Sequence, residues 1–291
     1  MSVWVVCPSA RKPEELAVWS AAWHMKGYKI ALWRDQNDSS GQFADITQWS
    51  AVSQPEPGYP GYAIAVNFLV KLLLGFDETF EWAVIAGDDI FPDPNKSAEE
   101  IAAECKKHFL DAAWPKHWHW DSKYKTPEEA IAAGAYAQEK PQALWSAANA
   151  DLYSLYGVMQ PTGDRFGEER NAKDPAMRGA YIDRVCGSAW VGREFCARIN
   201  RGRGPLWPEY THQFVDEELQ NIAIKYGVLW QRRDLTHYHD HWGRPKPGET
   251  MGDMRNMPEF LKEANTQEHW IKYRNLFETR RNAGFPGSEP L

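Results

Sequence analysis

Cysteine is scarce in this chain: four in 291 residues, widely scattered and without a CxxC pair. That spacing excludes a disulfide scaffold and leaves Cys7, Cys105, Cys186 and Cys196 as reduced core thiols. No apolar run is long enough to cross a bilayer, and no charged segment precedes an apolar one at the start. A soluble, cytoplasmic protein without a membrane partner is therefore expected. Net positive charge is lacking too, and a formal charge of −7 argues against a chain that coats nucleic acid indiscriminately. No internal repeat, low-complexity tract or linker interrupts the chain before residues 285–291. Its length admits one large domain or two small ones, with ample chain for a buried sheet.

What is present is an alternation of strand and helix patterns. Val3 to Val6 reads as a strand, Pro13-Glu14-Glu15-Leu16 opens a helix through Lys26, and Tyr28 to Trp33 is a second strand that ends on Arg34-Asp35. This βαβ unit implies a parallel sheet. Tyr62 to Leu74 reads as another helix and feeds an apolar strand from Val84 to Ile90. Tyr156 to Gln160 and Val228 to Gln231 are further strands. Between them, residues 111–150 are irregular and rich in tryptophan, including Trp114, Trp118, Trp120 and Trp145. The expected class is α/β, a mostly parallel central sheet flanked by helices.

Ligands of such sheets sit beyond the carboxyl ends of the strands. Three of those ends are polar: Cys7-Pro8-Ser9, Arg34-Asp35-Gln36 and Gly87-Asp88-Asp89. An apolar run stopping on paired carboxylates offers hard oxygen ligands for a divalent cation that itself carries phosphates. Further on, Asp216-Glu217-Glu218 opens a helix whose buried stripe is Leu219, Ile222, Ala223 and Tyr226. On that wheel Asp216 and Glu218 flank the stripe and Glu217 points away, so Asp216 is the acid best placed to face a cleft. Then come His237, His239 and His241, alternate residues that share one face of an extended segment. From Gly163 to Gly204 nine Lys/Arg stand against six Asp/Glu, with Arg193, Arg198, Arg201 and Arg203 crowded at the end. Such a patch is able to bind phosphate.

The order of these features resembles the nucleotide-sugar glycosyltransferases of the GT-A fold. An N-terminal nucleotide-binding half matches Cys7 to Asp35; an acidic strand end matches Gly87-Asp88-Asp89. An acceptor-side glycine segment matches Cys186-Gly187-Ser188, an acidic helix start Asp216-Glu217-Glu218, and a late histidine His239 to His241. The resemblance covers roughly residues 1–245 as a single catalytic domain with a Trp-rich insertion at 111–150, and leaves 246–291 as a C-terminal helical extension packed on it. The acidic triplet lacks one of the usual acids. The resemblance implies a Rossmann-like sheet, a nucleoside-diphosphate sugar as donor, and Mn²⁺ or Mg²⁺ held by Asp89, His239 and His241. Pro8, Ser9, Arg34, Asp35 and Asp88 would bind the donor. Asp216, with Glu218 beside it, would supply the general base of an inverting transfer.

The chain is also similar to compact transferases that bacteriophages use to decorate hydroxymethylated pyrimidines in DNA, which implies residence in the host cytoplasm and a DNA partner. Gly187, Ser188 and Trp190, with Arg198, Arg201 and Arg203, would then form the acceptor side, aromatics stacking on an extruded base while arginines hold phosphates. A polysaccharide or glycoside acceptor is the alternative, as is a catalytically silent nucleotide-sugar or nucleic-acid binding module. The segment His237 to His241 also approaches the HxHxDH pattern of metallo-β-lactamase-like zinc hydrolases, one residue short.

Overall fold

In the computed structural model of the protein, the described residues are 1–9, 11–34, 51–52, 60–111, 154–164, 187–241, 244, 262 and 264–291. Asp35, Cys186 and the Trp-rich stretch at 112–153 lie outside them. Strand β1 (Ser2–Pro8) turns Val3, Val5 and Cys7 to one face and Trp4 and Val6 to the other, and both sets are buried. A strand with two apolar faces must lie between two layers, as the central strand of a parallel sheet does. Strands β2 (Lys29–Arg34) and β4 (Phe80–Ile85) flank it in parallel, with Val5 opposite both Ile30 and Val84.

The short β3 (Ala51–Val52) extends the sheet beyond β2. On the other side, β7 (Trp190–Gly192) runs antiparallel between β4 and β6 (Val158–Pro161), and β8 (Leu229–Arg232) closes the edge parallel to β6. The order is β3-β2-β1-β4-β7-β6-β8, and only β7 runs against the rest. The result is a mixed, mostly parallel sheet of Rossmann-like kind. A separate two-residue ribbon pairs β5 (Ile90–Phe91) with β9 (Tyr238–His239).

Helices α1 (Pro13–Met25) and α3 (Ala98–Asp111) cover one face, where Trp19, Trp23, Ile101 and Cys105 meet Val3, Val5 and Trp82. Helices α2 (Tyr62–Phe76), α4 (Arg193–Gly202), α5 (Val215–Lys225) and α6 (Gln267–Asn282) cover the other. Trp19, Trp23, Trp82 and Trp190 are fully buried. Each removes about 150–250 Å² from water, roughly 4–6 kcal/mol of transfer free energy apiece. Cys7, Cys105 and Cys196 are buried free thiols. Among the described residues no helix is long and apolar enough to cross a membrane.

Because every strand of the seven-stranded sheet but β7 points the same way, the carboxyl ends of β1, β2, β4, β6 and β8 share one rim. Strand order reverses between β1 and β4, since β2 and β3 lie to one side of β1 and β4 to the other. That switch point opens the crevice in which ligands of such sheets bind.

Candidate active site

At the switch point the chain does not run straight from Val84 to Ile90 as its apolar pattern suggests. Strand β4 stops at Ile85, Gly87–Asp89 turns, and Ile90–Phe91 leaves the sheet to pair with β9. Two adjacent carboxylates have no place between apolar layers, and the turn carries them to the rim. Ile90 N–H donates to the Gly87 carbonyl (3.2 Å) to close it. A Cβ at position 87 would stand 2.6 Å from Asp89 Oδ1, so a side chain there would displace the Asp89 carboxylate from its present position. From behind, the indole N–H groups of Trp19 and Trp23 both donate to the Ile90 carbonyl, at 2.8 and 3.0 Å.

The two acids have different partners. Asp88 accepts from Ser9 Oγ (2.6 Å) and pairs with Arg11 Nε (3.1 Å). Burial pushes its carboxyl up, and Arg11 and Ser9 only partly offset this. Asp89 Oδ2 lies 3.1 Å from His239 Nε2. Burial would raise Asp89 as well, but the hydrogen bond and charge of His239 prevail and hold it below the usual carboxylate range.

The ribbon makes this contact possible by setting His239 opposite Ile90, while Asp240 N–H donates to the Asp89 carbonyl (2.7 Å). A second clamp fixes the same segment. Asp164, just beyond β6, accepts from His239 N–H (2.7 Å) and takes both hydrogen bonds of Arg244 Nη2 (2.6 and 2.8 Å). Arg244 Nε donates to the His239 carbonyl (2.9 Å).

The three histidines do not share a face. His241 packs edge-on against His239, ring centres 5.0 Å apart. His237 instead lies in the core between Trp23 and Trp190, where burial pushes it down to about 3. Alternation holds only along a straight strand, and β9 is two residues long. His212, which sequence reasoning passed over, is also held below its usual value by burial, against the opposing pull of Asp89.

The acids that open α5 divide as well. Phe214, immediately before the helix, has φ +65° and ψ 2°, a left-handed conformation uncommon for an aromatic residue. Local strain of this kind is concentrated at functional sites. Asp216 has no hydrogen-bond donor on its carboxylate among the described residues. Burial and then the charge of Glu217 push it up to about 7, against the pull of His239. Glu217 does not point to water: it is partly buried, and burial raises its carboxyl too. Glu218 is not at the cleft. Its carboxylate is 1 % exposed, accepts from Arg280 Nε and Nη2 and from Tyr210 Oη (2.7 Å), and thereby ties α5 to α6. It is a structural ion pair, not a catalytic acid.

On the donor side, Pro8 ends β1 and Ser9 holds Asp88. Arg34 is buried and donates to the carbonyls of Ser9 (3.3 Å) and Arg11 (2.8 Å), bracing the turn after β1. On the acceptor side, Gly187 lies against Ile90, where a Cβ would meet its Cδ1 at 3.3 Å, and Ser188 is buried. Trp190 is a core residue at 0 % exposure between Tyr28, Trp82 and His237, and has no face for a base. Arg198 pairs with Glu194, Arg201 with Glu289, and Arg203 lies over the Trp207 ring. Arg198 and Arg201 are therefore neutralised in place, and the basic residues between 165 and 186 lie outside the described residues.

Among the described residues no group of three or more His, Cys, Asp and Glu side chains converges on one metal position. Asp89 and His239 do fit a shared ion. One oxygen and one imidazole nitrogen 3.1 Å apart match neighbouring ligands of an octahedral ion, which at about 2.1 Å from the metal stand roughly 3 Å from each other. Mg²⁺ and Mn²⁺ sites with one or two protein ligands complete their shells with water and substrate phosphate. Sequence reasoning missed Arg11, Asp164, Arg244 and His212. Arg11 and Asp164 had a signal, each standing a few residues beyond a strand end, after Ser9 and after Gln160. No protein-family description matches the chain, and no curated protein matches it significantly.

Proposed function

We propose that the chain is a metal-dependent glycosyltransferase of GT-A type that moves a sugar from a nucleoside-diphosphate sugar to an acceptor hydroxyl. The observation that carries this reading is the contact of Asp89 with His239 at the switch-point crevice, with Asp216 unpaired and poised near neutrality close by. Asp89 and His239 would hold Mn²⁺ or Mg²⁺, and such an ion, when bound, neutralises the charge of the leaving diphosphate. Ser9 and Arg11 fix Asp88 at the donor side. Asp216 takes the proton of the acceptor hydroxyl as that oxygen bonds to the anomeric carbon and the bond to the diphosphate oxygen breaks. Direct displacement with one base gives inversion.

The zinc-hydrolase alternative loses its first histidine, because His237 is packed among tryptophans. A silent binding module gives no reason to keep a partly buried, unpaired carboxylate beside His239. Asp89→Ala and His239→Ala should each abolish the thermal stabilisation that Mn²⁺ plus nucleoside diphosphate gives the wild type. Unchanged metal affinity by calorimetry in both variants would overturn the shared site.

The narrower reading, a hydroxymethylpyrimidine in phage DNA as acceptor, has less support. Trp190 is core, and two of the three acceptor-side arginines are ion-paired. Radiolabelled sugar offered with hydroxymethylated DNA, unmodified DNA and simple glycosides separates the acceptors. Neutralising Arg198, Arg201 and Arg203 together should flatten the salt dependence of DNA binding if these arginines hold phosphates.

A further inference from the structure

We propose that Arg11 is the phosphate-binding cation of this site, gripping the diphosphate of the nucleotide; the assignment rests on the nucleotide-sugar reading above. Among the described residues Arg11, Arg34 and Arg244 stand at the rim near the acids, and the last two are committed. Arg34 is buried with hydrogen bonds to the carbonyls of Ser9 and Arg11, and Arg244 is held by Asp164 and the His239 carbonyl. Arg11 is different. It meets Asp88 through Nε at 3.1 Å, its side chain is 30 % exposed, and its two Nη groups make no hydrogen bond among the described residues.

The side chain is nonetheless fixed from several directions. Ser9 Oγ accepts from Arg11 N–H (3.2 Å) while donating to Asp88, and Arg34 holds the Arg11 carbonyl. One edge of the guanidinium is thus locked on Asp88, and the fork formed by the two Nη groups is left for a ligand. A planar fork with parallel N–H donors matches two oxygens of a phosphate, which a lysine ammonium does not. The electrostatics agree. Asp88 and Asp89 lie side by side at the strand end, and His239 feels the charge of both Asp89 and Asp216, so a bound diphosphate needs a fixed cation on the protein side. Arg11 also lies just beyond the carboxyl end of β1, at the switch point where a nucleotide would enter.

The test is calorimetry on the full chain with Mn²⁺, using inorganic pyrophosphate, a panel of nucleoside diphosphates and the matching nucleosides as probes. Arg11→Ala should weaken pyrophosphate and nucleoside diphosphate by about ten- to a hundredfold while changing nucleoside affinity less than about twofold. Arg11→Lys keeps the charge without the fork and should recover only part of the loss. If it melts with the wild type, misfolding does not explain its deficit. Equal losses for nucleoside and diphosphate would make Arg11 a structural brace and overturn the proposal, as would unchanged pyrophosphate binding in Arg11→Ala or no pyrophosphate binding by the wild type. Wild-type pyrophosphate binding that depends on Arg11, with no nucleoside diphosphate bound, would keep the phosphate site and sink the glycosyl-transfer reading instead.

Discussion

Two rims of one sheet carry acids, and they treat them in opposite ways. At the amino rim Asp77 is saturated: Ser2 Oγ and Trp4 Nε1 donate at 2.7 Å, Thr79 gives its backbone N–H and its hydroxyl, and Lys29 stands 3.3 Å away. Burial opposes ionisation there, but the donors overcome it and hold Asp77 far below the usual range. At the carboxyl rim Asp216 has no donor among the described residues and is pushed up to about 7. A saturated carboxylate fastens a structure. One left short of partners keeps the capacity to accept a proton.

The sharpest way to break this comparison is Asp216→Asn. It should keep donor affinity and lower turnover by roughly two to four orders of magnitude, the range for loss of a positioned acid-base group. A base near 7 is active only when deprotonated, so wild-type turnover should rise with pH through about 7, and the variant should lose that limb. Glu217→Gln sharpens the point. Removing the like charge that lifts Asp216 should move the limb to lower pH without abolishing activity. A dead Glu217→Gln enzyme beside an active Asp216→Asn would reassign the base.

Glu218→Gln should act on stability instead. It leaves the buried Arg280 guanidinium without its counter-charge, at a cost of about 3–5 kcal/mol in denaturant titration. Turnover per folded molecule should stay within about twofold, because the carboxylate faces α6 and not the crevice. Asp77→Asn should be milder, about 1–3 kcal/mol at pH 7. Its pH dependence has a definite sign. With the folded value depressed below an unfolded value near ~3.9, the stabilisation is complete above about pH 4 and is lost as pH falls towards the folded value. The gap between wild type and variant should therefore narrow only in acid.

The sheet was largely legible in the sequence because its information is local. Alternation along Val3 to Val6, proline and acids at the start of α1, and the apolar run before Asp88 each act within a few residues. The contacts that make the site are long-range. Asp89 and His239 are 150 residues apart and meet through strands of two residues each, too short for any period to register. The same blindness misplaced Glu218. A helical wheel identifies the neighbours of a stripe, but Arg280, 62 residues on, decides which acid is neutralised. Trp190 misled for a related reason: small residues beside an aromatic signal a close approach without saying of what, and here it is core. Asp35 and the tryptophans of 112–153 lie outside the described residues.

The double acceptance at Ile90 bears on how molecules of this protein meet one another. A carbonyl oxygen has two lone pairs, and the indoles of Trp19 and Trp23 take both. The outward edge of a two-stranded ribbon is ordinarily a template on which another chain can add a strand. Here that acceptor is closed at β5, so a third strand could not dock through it beside Asp89. Two tryptophans buried for packing thus also occupy the acceptor through which a further strand would pair at this edge.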